Sequence, residues 1–416
     1  MNEKEIDNAI VDASVYQDDA RYHALFRRLR ADCPVRWTAP DGYDPFWTVS
    51  RYEDIVKVQT QPSLFLSGGR TILAPANVEK AISSHREVDE TLQNNIIQIN
   101  GDEHTSVRNV TREWFLPRNI AKLEESIAGI AREYISNMVS LGGACDFVQD
   151  VAAWFPLRTI MAIFGMSKDD APTLFRLSKE RTGGEDPEFQ RSGDRAEHTV
   201  EVLQDFYAIF GGIMNERRRH PADDLASVIA NAEIAGKPLT KSQVFSYYQT
   251  ITIAGHDTTT ASIAGGLLAL IRYPDQMAKL RADLSLIPTA VGEMIRWTAP
   301  VRHFFRTAVE DYELAGQAIK AGDTLLMCYP SACRDETIFD NPFEFRVDRK
   351  PNRHLAFGIG PHNCLGQVLA RTEMEVFYRE FLARITDISL NGEPENTRTT
   401  FMGGLKRLPI CYRVAS

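Results

Sequence analysis

Residues 354–371 read HLAFGIGPHNCLGQVLAR, a loop with three glycines and one proline that leads directly into an apolar pattern of helical period. Gly358 and Gly360 allow backbone turns that a side chain would block, and Gly366 allows the backbone to approach the Cys364 sulfur. Cys364 comes just before a helix amino terminus, where free N–H groups and the helix dipole stabilise a negatively charged sulfur. A bound metal would keep this thiol deprotonated. The segment therefore predicts a metal thiolate at the start of a helix.

The run Phe357-Gly-x-Gly-x-His-x-Cys364-x-Gly366 resembles the heme-binding signature of the cytochrome P450 family. A buried apolar cysteine would explain any single cysteine, but six matched positions without a gap favour the signature. The resemblance implies heme b as the cofactor, Cys364 as the iron ligand, and Phe357 and Gly366 in the heme-binding loop. Thiolate ligation favours cleavage of the O–O bond, because sulfur donates electron density through the iron. We expect His362 to pack in the loop or to contact a heme propionate.

The resemblance also implies a fold that is mainly α with small β-sheets, shaped as a triangular prism with a long central helix over the heme. A matching helix can be identified: Thr240 can cap it and Pro274 stops it, which makes it about 30 residues and about 45 Å long. Between positions 244 and 271 the only acidic, basic or imidazole side chains are His256 and Asp257. We therefore expect this helix to cross the interior.

The hexamer Ala254-Gly-His-Asp257-Thr258-Thr interrupts the good helix formers of this segment. A Thr258 hydroxyl bonded to the carbonyl one turn earlier can open a groove for dioxygen, with Asp257 supplying protons from solvent. The hexamer resembles the acid–alcohol motif of the family, which implies catalytic roles for Asp257 and Thr258 and places Ala254 at the heme. Taken alone, it is equally consistent with a helix kink that holds a buried, hydrogen-bonded acid.

Two further family features concern buried charge. Glu293 and Arg296 lie three residues apart on one helix face and are expected to form a structural brace, with Arg346 or another base of PFEFRVDR as third member. The two heme propionates require basic partners, because buried carboxylates need charged donors. The resemblance assigns that role to four residues, each of which could otherwise be an ordinary surface base: His104, Arg108, Arg306 and His354.

The family pattern places a set of largely apolar side chains around the substrate, although each could be plain core. Such a lining favours a small lipophilic substrate held by shape. At whole-chain scale, stretches such as AGHDTT, IRWTAPV, CRDE and PNRHLAFG resemble bacterial monooxygenases that hydroxylate α-terpineol and related monoterpenes or alkylated aromatics. The predicted pocket residues are Ile72, Leu73, Thr250, Ala254, Val301, Phe304, Phe401 and Met402.

Strand patterns occur in PVRW and FWTVSR near the amino terminus and again at residues 313–328 and 401–414. Helical spacing covers residues 51–60 and 105–142. Residues 67–100 predict loops with a short helix or two, and residues 182–193 are rich in Gly, Asp and Glu, so both are candidate mobile covers. We find no linker and expect a single domain over residues 1–416, β-rich near the amino terminus and at 300–330 and 385–416.

The formal net charge of −9 excludes a chain-wide nucleic-acid footprint. The polar start MNEKEIDNAI is neither a signal peptide nor a membrane span, and the six cysteines lack metal-site spacing, so we expect a cytoplasmic monomer with free thiols. A local basic face would suit an acidic ferredoxin, unless its members are merely solvated helix positions. Its residues are Arg108, Arg112, Arg118, Lys122, Arg346, Arg349, Lys350 and Arg353.

These features predict a monooxygenase that takes two electrons from NAD(P)H through a reductase and an iron-sulfur ferredoxin and inserts one oxygen atom of O2 into an unactivated C–H bond. A peroxide-driven peroxygenase of the same fold is disfavoured, because the Asp257–Thr258 pair is intact. A non-catalytic heme sensor or carrier would need the thiolate but not the groove.

Overall fold

The computed structural model describes residues 1–88, 95–191, 193 and 195–415. Small sheets accompany a predominantly helical chain. The helices are α1 (Glu3–Val11), α2 (Asp19–Asp32), α3 (Tyr52–Gln59), α4 (Ala76–Val88), α5 (Gly101–Arg112), α6 (Pro117–Ile120), α7 (Glu124–Ser140), α8 (Trp154–Ile163), α9 (Ala171–Thr182), α10 (Arg195–Arg219), α11 (Leu225–Ala230), α12 (Lys241–Arg272), α13 (Pro274–Ala282), α14 (Ile287–Thr298), α15 (Tyr329–Ala332) and α16 (Gln367–Arg384).

The strands form one larger sheet of order β1-β2-β10-β7-β3 and several smaller ones. The pair β1–β2 is antiparallel, β2–β10 parallel and β10–β7 antiparallel, which confirms the strand patterns in PVRW, FWTVSR and residues 313–328. The strands are β1 (Val35–Thr38), β2 (Phe46–Val49), β3 (Phe65–Leu66), β4 (Ala144–Asp146), β5 (Glu233–Ile234), β6 (Lys237–Pro238), β7 (His303–Ala308), β8 (Tyr312–Leu314), β9 (Gln317–Ile319), β10 (Thr324–Cys328), β11 (Ile385–Leu390), β12 (Glu395–Asn396), β13 (Leu405–Arg407) and β14 (Pro409–Val414).

Helix α12 is the central element and spans 32 residues, as its capping signals predicted. The Thr240 hydroxyl accepts from the Gln243 N–H at 3.2 Å, and the Gln243 side chain accepts from the Thr240 N–H at 3.0 Å. This reciprocal capping box satisfies two amide donors that the helix itself leaves free. The helix packs against α8, α14, α10 and α16, so it crosses the interior.

The helical pattern over residues 105–142 is divided between α5 and α7. The break comes at Leu116, whose extended backbone (φ −68°, ψ 148°) precedes Pro117. A proline disfavours helical geometry in the residue before it, which accounts for the interruption.

The two candidate covers differ in structure. The first contains α4, consistent with the short helix predicted within residues 67–100, although residues 89–94 lie outside the described residues. The second contains a single 3-10 turn at Pro187–Phe189, and residue 192 lies outside the described residues. Among the helices that the structure describes, none has both the length and the apolar character needed to cross a membrane.

Candidate active site

The Cys364 loop is shaped by two left-handed glycines. Gly358 has φ +67° and Gly360 has φ +78°. A Cβ added to Gly360 would lie 2.3 Å from the carbonyl oxygen of Gln59, so only glycine fits there. The Cys364 N–H donates to the Phe357 carbonyl at 2.8 Å and closes the loop. Helix α16 begins three residues later, at Gln367, as the sequence predicted.

The surroundings of the Cys364 sulfur act on the pKa of this thiol in both directions, and burial has the largest effect. Burial raises the pKa of this thiol, while the Gly366 N–H and the positive charges of Arg108 and Arg371 act in the opposite direction. Helix-start N–H groups and nearby cations are the groups that stabilise a thiolate. The loop can therefore hold a metal-bound, negatively charged sulfur.

Across from this loop, Thr258 makes the hydrogen bond that the sequence predicted. Its hydroxyl donates to the Ala254 carbonyl at 2.7 Å, and α12 nevertheless continues unbroken through residue 272. Gly255 serves helix packing, because a Cβ at this position would lie 2.5 Å from Cδ1 of Ile160 on α8. The back-bond leaves the Thr258 side chain at the cavity wall.

Asp257 points to the other side of α12, into a hydrogen-bonded cluster with α9. Its carboxylate accepts from Lys179 Nζ at 2.7 Å and from the hydroxyls of Ser178 and Thr182, each at 2.8 Å. Burial acts to raise the pKa of Asp257, but the charge of Lys179 together with the hydrogen bonds from Lys179 and Ser178 holds the pKa below its usual range. Burial lowers the pKa of the adjacent His256 to about 4. Asp257 is thus an ionised, buried acid beside a neutral imidazole.

A cavity of about 400 Å³ lies between the Cys364 loop and α12. Its lining is predominantly apolar, and Cys364 and Thr258 are both part of it. Asp257 instead lines a smaller neighbouring cavity, and Thr182 lines both. The predicted pocket residues that the structure places in the main lining are Ile72, Thr250, Ala254, Val301, Phe304, Phe401 and Met402.

Comparison with known proteins bears directly on this arrangement. The Cytochrome P450 family model matches residues 187–410. Cytochrome P450-terp from a Pseudomonas species is 38% identical over 408 residues, which cover 96% of this chain and 95% of that relative. The chain belongs to the cytochrome P450 family. Linalool 8-monooxygenase from Pseudomonas putida is 32% identical to this cytochrome P450, with coverage of 93% and 95%.

Solved structures agree on the fold of this cytochrome P450. The crystal structure of CYP108D1 from Novosphingobium aromaticivorans superposes on this chain with a TM-score of 0.92 at 38% identity, and the superposition covers 100% of both chains. A Mycobacterium marinum cytochrome P450 in complex with pseudoionone superposes with a TM-score of 0.89 at 31% identity, with coverage of 96% and 97%. The cytochrome P450 fold is therefore confirmed, the cofactor is heme b, and the protein is a monooxygenase.

The cavity floor fits the two carboxylates of heme b. Arg306 is only 5% exposed, and its Nη1 donates to the backbone carbonyl of Phe305 at 2.7 Å. The Nε2 atom of His104 is buried without a partner, and its ring lies 4.0 Å from that of His362. Arg108 donates to the Asn363 side chain and carbonyl at the edge of the same floor. These buried or half-buried basic groups, without a carboxylate among their described hydrogen-bond partners, suit propionates.

The assignment of His354 to a propionate is corrected by the structure. His354 is not part of the described cavity lining, whereas His362 is. Its ring lies 5.7 Å from that of Phe357, and its Nε2 is 3.4 Å from Arg371. The His354 side chain therefore packs beside Phe357 and Arg371 and supports the loop from outside the cavity. His362 lines the cavity, where a propionate contact was expected as one of its two possible roles.

Leu73 is also corrected. It is 4% exposed and packs in a separate apolar cluster with residues of α1 and α2, while its neighbour Ile72 lines the cavity. Its backbone N–H donates to Nε2 of His303 at 2.9 Å. Leu73 thus anchors the cover segment and does not touch the pocket.

The Glu293–Arg296 brace is present and fully buried. Arg296 donates to both carboxylate oxygens of Glu293 at 2.7 Å. The third member is Arg349, whose Nε lies 3.0 and 3.1 Å from those oxygens, while Arg346 contributes its backbone N–H. Arg349 is 4% exposed and therefore does not belong to the basic face.

Sequence reasoning missed Glu373 on α16. This residue lines the cavity, is 1% exposed, and has no hydrogen-bond partner for either carboxyl oxygen. Burial raises its pKa well above the usual value, so the group is neutral. No sequence signal separates it from Glu375, two positions further along the same helix. Asn95 and Gln249, which also line the cavity, were missed for the same reason.

Proposed function

We propose that this cytochrome P450 hydroxylates a small lipophilic substrate, a monoterpene, a terpene alcohol or an alkyl-substituted aromatic, with O2 and electrons from an iron-sulfur ferredoxin. The observation that carries the proposal is the predominantly apolar cavity of about 400 Å³ between Cys364 and Thr258. A cavity of this kind holds a substrate by shape and excludes water. The names of two relatives, cytochrome P450-terp and linalool 8-monooxygenase, and the pseudoionone complex support the terpenoid class.

In this proposal Cys364 would ligate the heme iron, and the loop holds its sulfur in place through the Gly366 N–H. Arg108, Arg306 and His104, which line the cavity, would hold the heme propionates. When bound, the heme supplies the iron at which O2 is reduced and one oxygen atom is transferred to the substrate.

Thr258 and Asp257 control the delivery of protons. Thr258 faces the cavity and holds a hydrogen-bonded proton at its Oγ1, while Asp257 connects the cavity wall to the solvent side through Lys179. Thr182 donates to Asp257 and lines both cavities, so it joins the two sides. Controlled proton transfer of this kind contributes about 10²- to 10⁴-fold in enzymes.

The exposed part of the basic face serves as the ferredoxin surface. Without the buried Arg349, the other predicted cations of this face are exposed or half-exposed, and Arg108 donates to Asn363 of the thiolate loop. Such a face accelerates association with an acidic partner, and the rate then falls as salt increases. The cations that remain are Arg108, Arg112, Arg118, Lys122, Arg346, Lys350 and Arg353.

The test is an optical titration of the ferric holoprotein with monoterpenols, alkylbenzenes, fused aromatics, fatty acids and steroids. Displacement of the sixth-ligand water converts the iron to high spin. We expect monoterpenes, monoterpenols or alkylbenzenes to give a near-complete conversion at micromolar concentration, and a ferredoxin-driven reaction to yield a hydroxylated product. Conversion by steroids or fatty acids alone would overturn the proposed substrate class.

A further inference from the structure

The end of the cavity formed by the first turns of α12 is polar. Asn95, Gln98, Gln249 and Thr250 all line the cavity there. The Thr250 hydroxyl donates to Oδ1 of Asn95 at 3.3 Å, which joins α12 to the segment that precedes α5. The predominantly apolar lining thus includes a group of amide side chains beside Thr250.

The hydrogen-bond partners define which atoms of Asn95 remain free. Its Oδ1 also accepts from the Ile97 N–H at 2.9 Å. A backbone N–H requires an acceptor, so this bond fixes the orientation of the amide. The Nδ2 donor is then left without an acceptor among the described residues.

Gln249 likewise has a side-chain amide donor without an acceptor among the described residues. Its Nε2 atom is buried and has no hydrogen-bond partner. Gln98, by contrast, donates from Nε2 to Thr71 Oγ1 at 3.0 Å and is satisfied. A buried donor without an acceptor costs about 1–3 kcal/mol, so Gln249 Nε2 favours a ligand that brings an acceptor, and Asn95 Nδ2 can donate to the same ligand.

The acceptor should be a neutral oxygen. Both free groups are uncharged amide N–H donors, and a buried carboxylate would need a cationic partner. Of the cations in the lining, Arg181 already has an interaction partner in the chain, and Arg108 and Arg306 are the proposed propionate ligands. A hydroxyl or carbonyl oxygen satisfies the amides without that requirement.

The spacing along α12 defines the size of the ligand. Thr250, Ala254 and Thr258 follow one another at intervals of four residues and line the cavity together. At 1.5 Å per residue, Thr250 lies about 6 Å from Ala254 and about 12 Å from Thr258 along the axis. A ligand that spans this distance carries its oxygen at the opposite end from the carbon beside Thr258.

We propose that Asn95 and Gln249 form an oxygen-recognition subsite that binds the hydroxyl or carbonyl oxygen of a monocyclic substrate and directs hydroxylation to the carbon at its far end. Thr250 is the positioning residue that holds Asn95. This inference rests on the proposed function and specifies its substrate class.

The experiment measures dissociation constants of the ferric holoprotein by calorimetry and by the spin-state shift. The probes share a para-substituted ring: p-cymene, its tertiary alcohol dimethyl(p-tolyl)methanol, and p-isopropylbenzoate. We expect the alcohol to bind roughly tenfold more tightly than p-cymene, since two donors gain an acceptor. We also expect oxidation of the alcohol at the ring methyl group.

The variant Gln249→Met removes one donor at nearly constant shape and should reduce the preference for the alcohol about three- to tenfold while leaving p-cymene binding unchanged. Gln98→Met is the matched control, because its amide is already bonded; it should leave the ratio of the two constants unchanged. Asn95→Asp retains the acceptor for Ile97 and removes the free donor, so it should also abolish the preference.

Equal affinity for p-cymene and the alcohol, unchanged in Gln249→Met, would overturn the subsite while leaving the proposed function intact. Tightest binding of p-isopropylbenzoate would show that the subsite takes a carboxylate and would also overturn it. Failure of all three probes and of the terpenoids to shift the spin state would instead refute the proposed function.

Discussion

The two ends of the cavity are constructed differently. The thiolate end comes from one continuous loop, closed by a hydrogen bond between Cys364 and Phe357 and shaped by two left-handed glycines. The far end joins segments distant in the sequence: Thr250 bonds Asn95 across 155 positions. The thiolate loop is therefore encoded locally in this chain, whereas the far end of the cavity depends on long-range packing.

The largest change in the free energy of unfolding should come from the Glu293–Arg296 brace. In Glu293→Gln the buried Arg296 and Arg349 lose their shared carboxylate, which should lower the free energy of unfolding by about 3–5 kcal/mol. Glu373→Gln is the matched control, because that acid is already neutral, and it should change stability by less than about 1 kcal/mol. Denaturant unfolding of the heme-bound proteins measures both. Equal losses would show that the two buried glutamates do not differ in charge.

Next in size is the loss of proton control in Thr258→Ala. Removal of the hydroxyl at the cavity wall should reduce the product formed per electron pair by about 100-fold, with substrate affinity and heme content retained. Thr260→Val, an unpartnered hydroxyl on the same helix, should remain coupled. NADH consumption and product yield, measured together, give the ratio. Full, coupled turnover in Thr258→Ala would contradict the assignment.

Acid should weaken the hydrogen bond between Leu73 and His303 that anchors the first cover segment. His303 is 2% exposed, accepts from Leu73 N–H and bonds to Thr400, and burial lowers its pKa to about 3. Because the unfolded side chain has a pKa near 6.5, this contribution to stability is complete above about pH 6.5 and is lost as pH falls toward 3. At about pH 5 the loss should be about 2 kcal/mol.

The variant His303→Gln retains an acceptor for Leu73 but does not titrate. The free energy of unfolding of this variant should vary less with pH than that of the native protein. The difference corresponds to about one fewer proton taken up on unfolding between pH 6.5 and 3. Hydrogen exchange at residues 71–73 and 399–401 should show the same change. An unaltered pH slope would mean that His303 does not remain neutral in the fold.

The smallest effect should come from the contact between the second cover and the β12–β13 region. Lys406 bonds Asp186 at 3.1 Å, and Asp186 is 1% exposed. Lys406→Met should lower the free energy of local opening by about 1 kcal/mol, since Asp186 keeps two backbone donors. Hydrogen exchange near residues 186–188 measures this. Arg413→Met, which removes an exposed ion pair, is the control and should have no effect there.

Sequence reasoning succeeded where the signal was local. The thiolate loop, the capped helix α12 and the Thr258 back-bond were all predicted from contiguous residues, because glycine geometry and capping act over a few positions. Between nearby alternatives it could not choose. His354 and His362 are eight positions apart, and Arg346 and Arg349 only three, so only packing decides which one reaches the cavity or the brace.

The far end could not be predicted at all. Asn95, Gln249 and Glu373 are common polar residues in ordinary positions, and they become distinctive only because folding places them in the cavity wall. Gln249 Nε2 and both Glu373 carboxyl oxygens are buried there without partners among the described residues. Leu73 packs in the core and its neighbour Ile72 lines the cavity. The backbone register of this segment decides which of the two side chains faces the cavity. Such features depend on contacts between segments and leave no periodic pattern in the chain.

The most direct test of the central claim is the absorption spectrum of the ferrous carbonyl complex of native protein and of Cys364→His, with Cys33→Ser as an exposed-cysteine control. Thiolate ligation gives the native complex a strongly red-shifted Soret band. We predict that Cys33→Ser keeps this band, whereas Cys364→His binds heme without it and loses monooxygenase turnover. A red-shifted band and full turnover in Cys364→His would contradict the account.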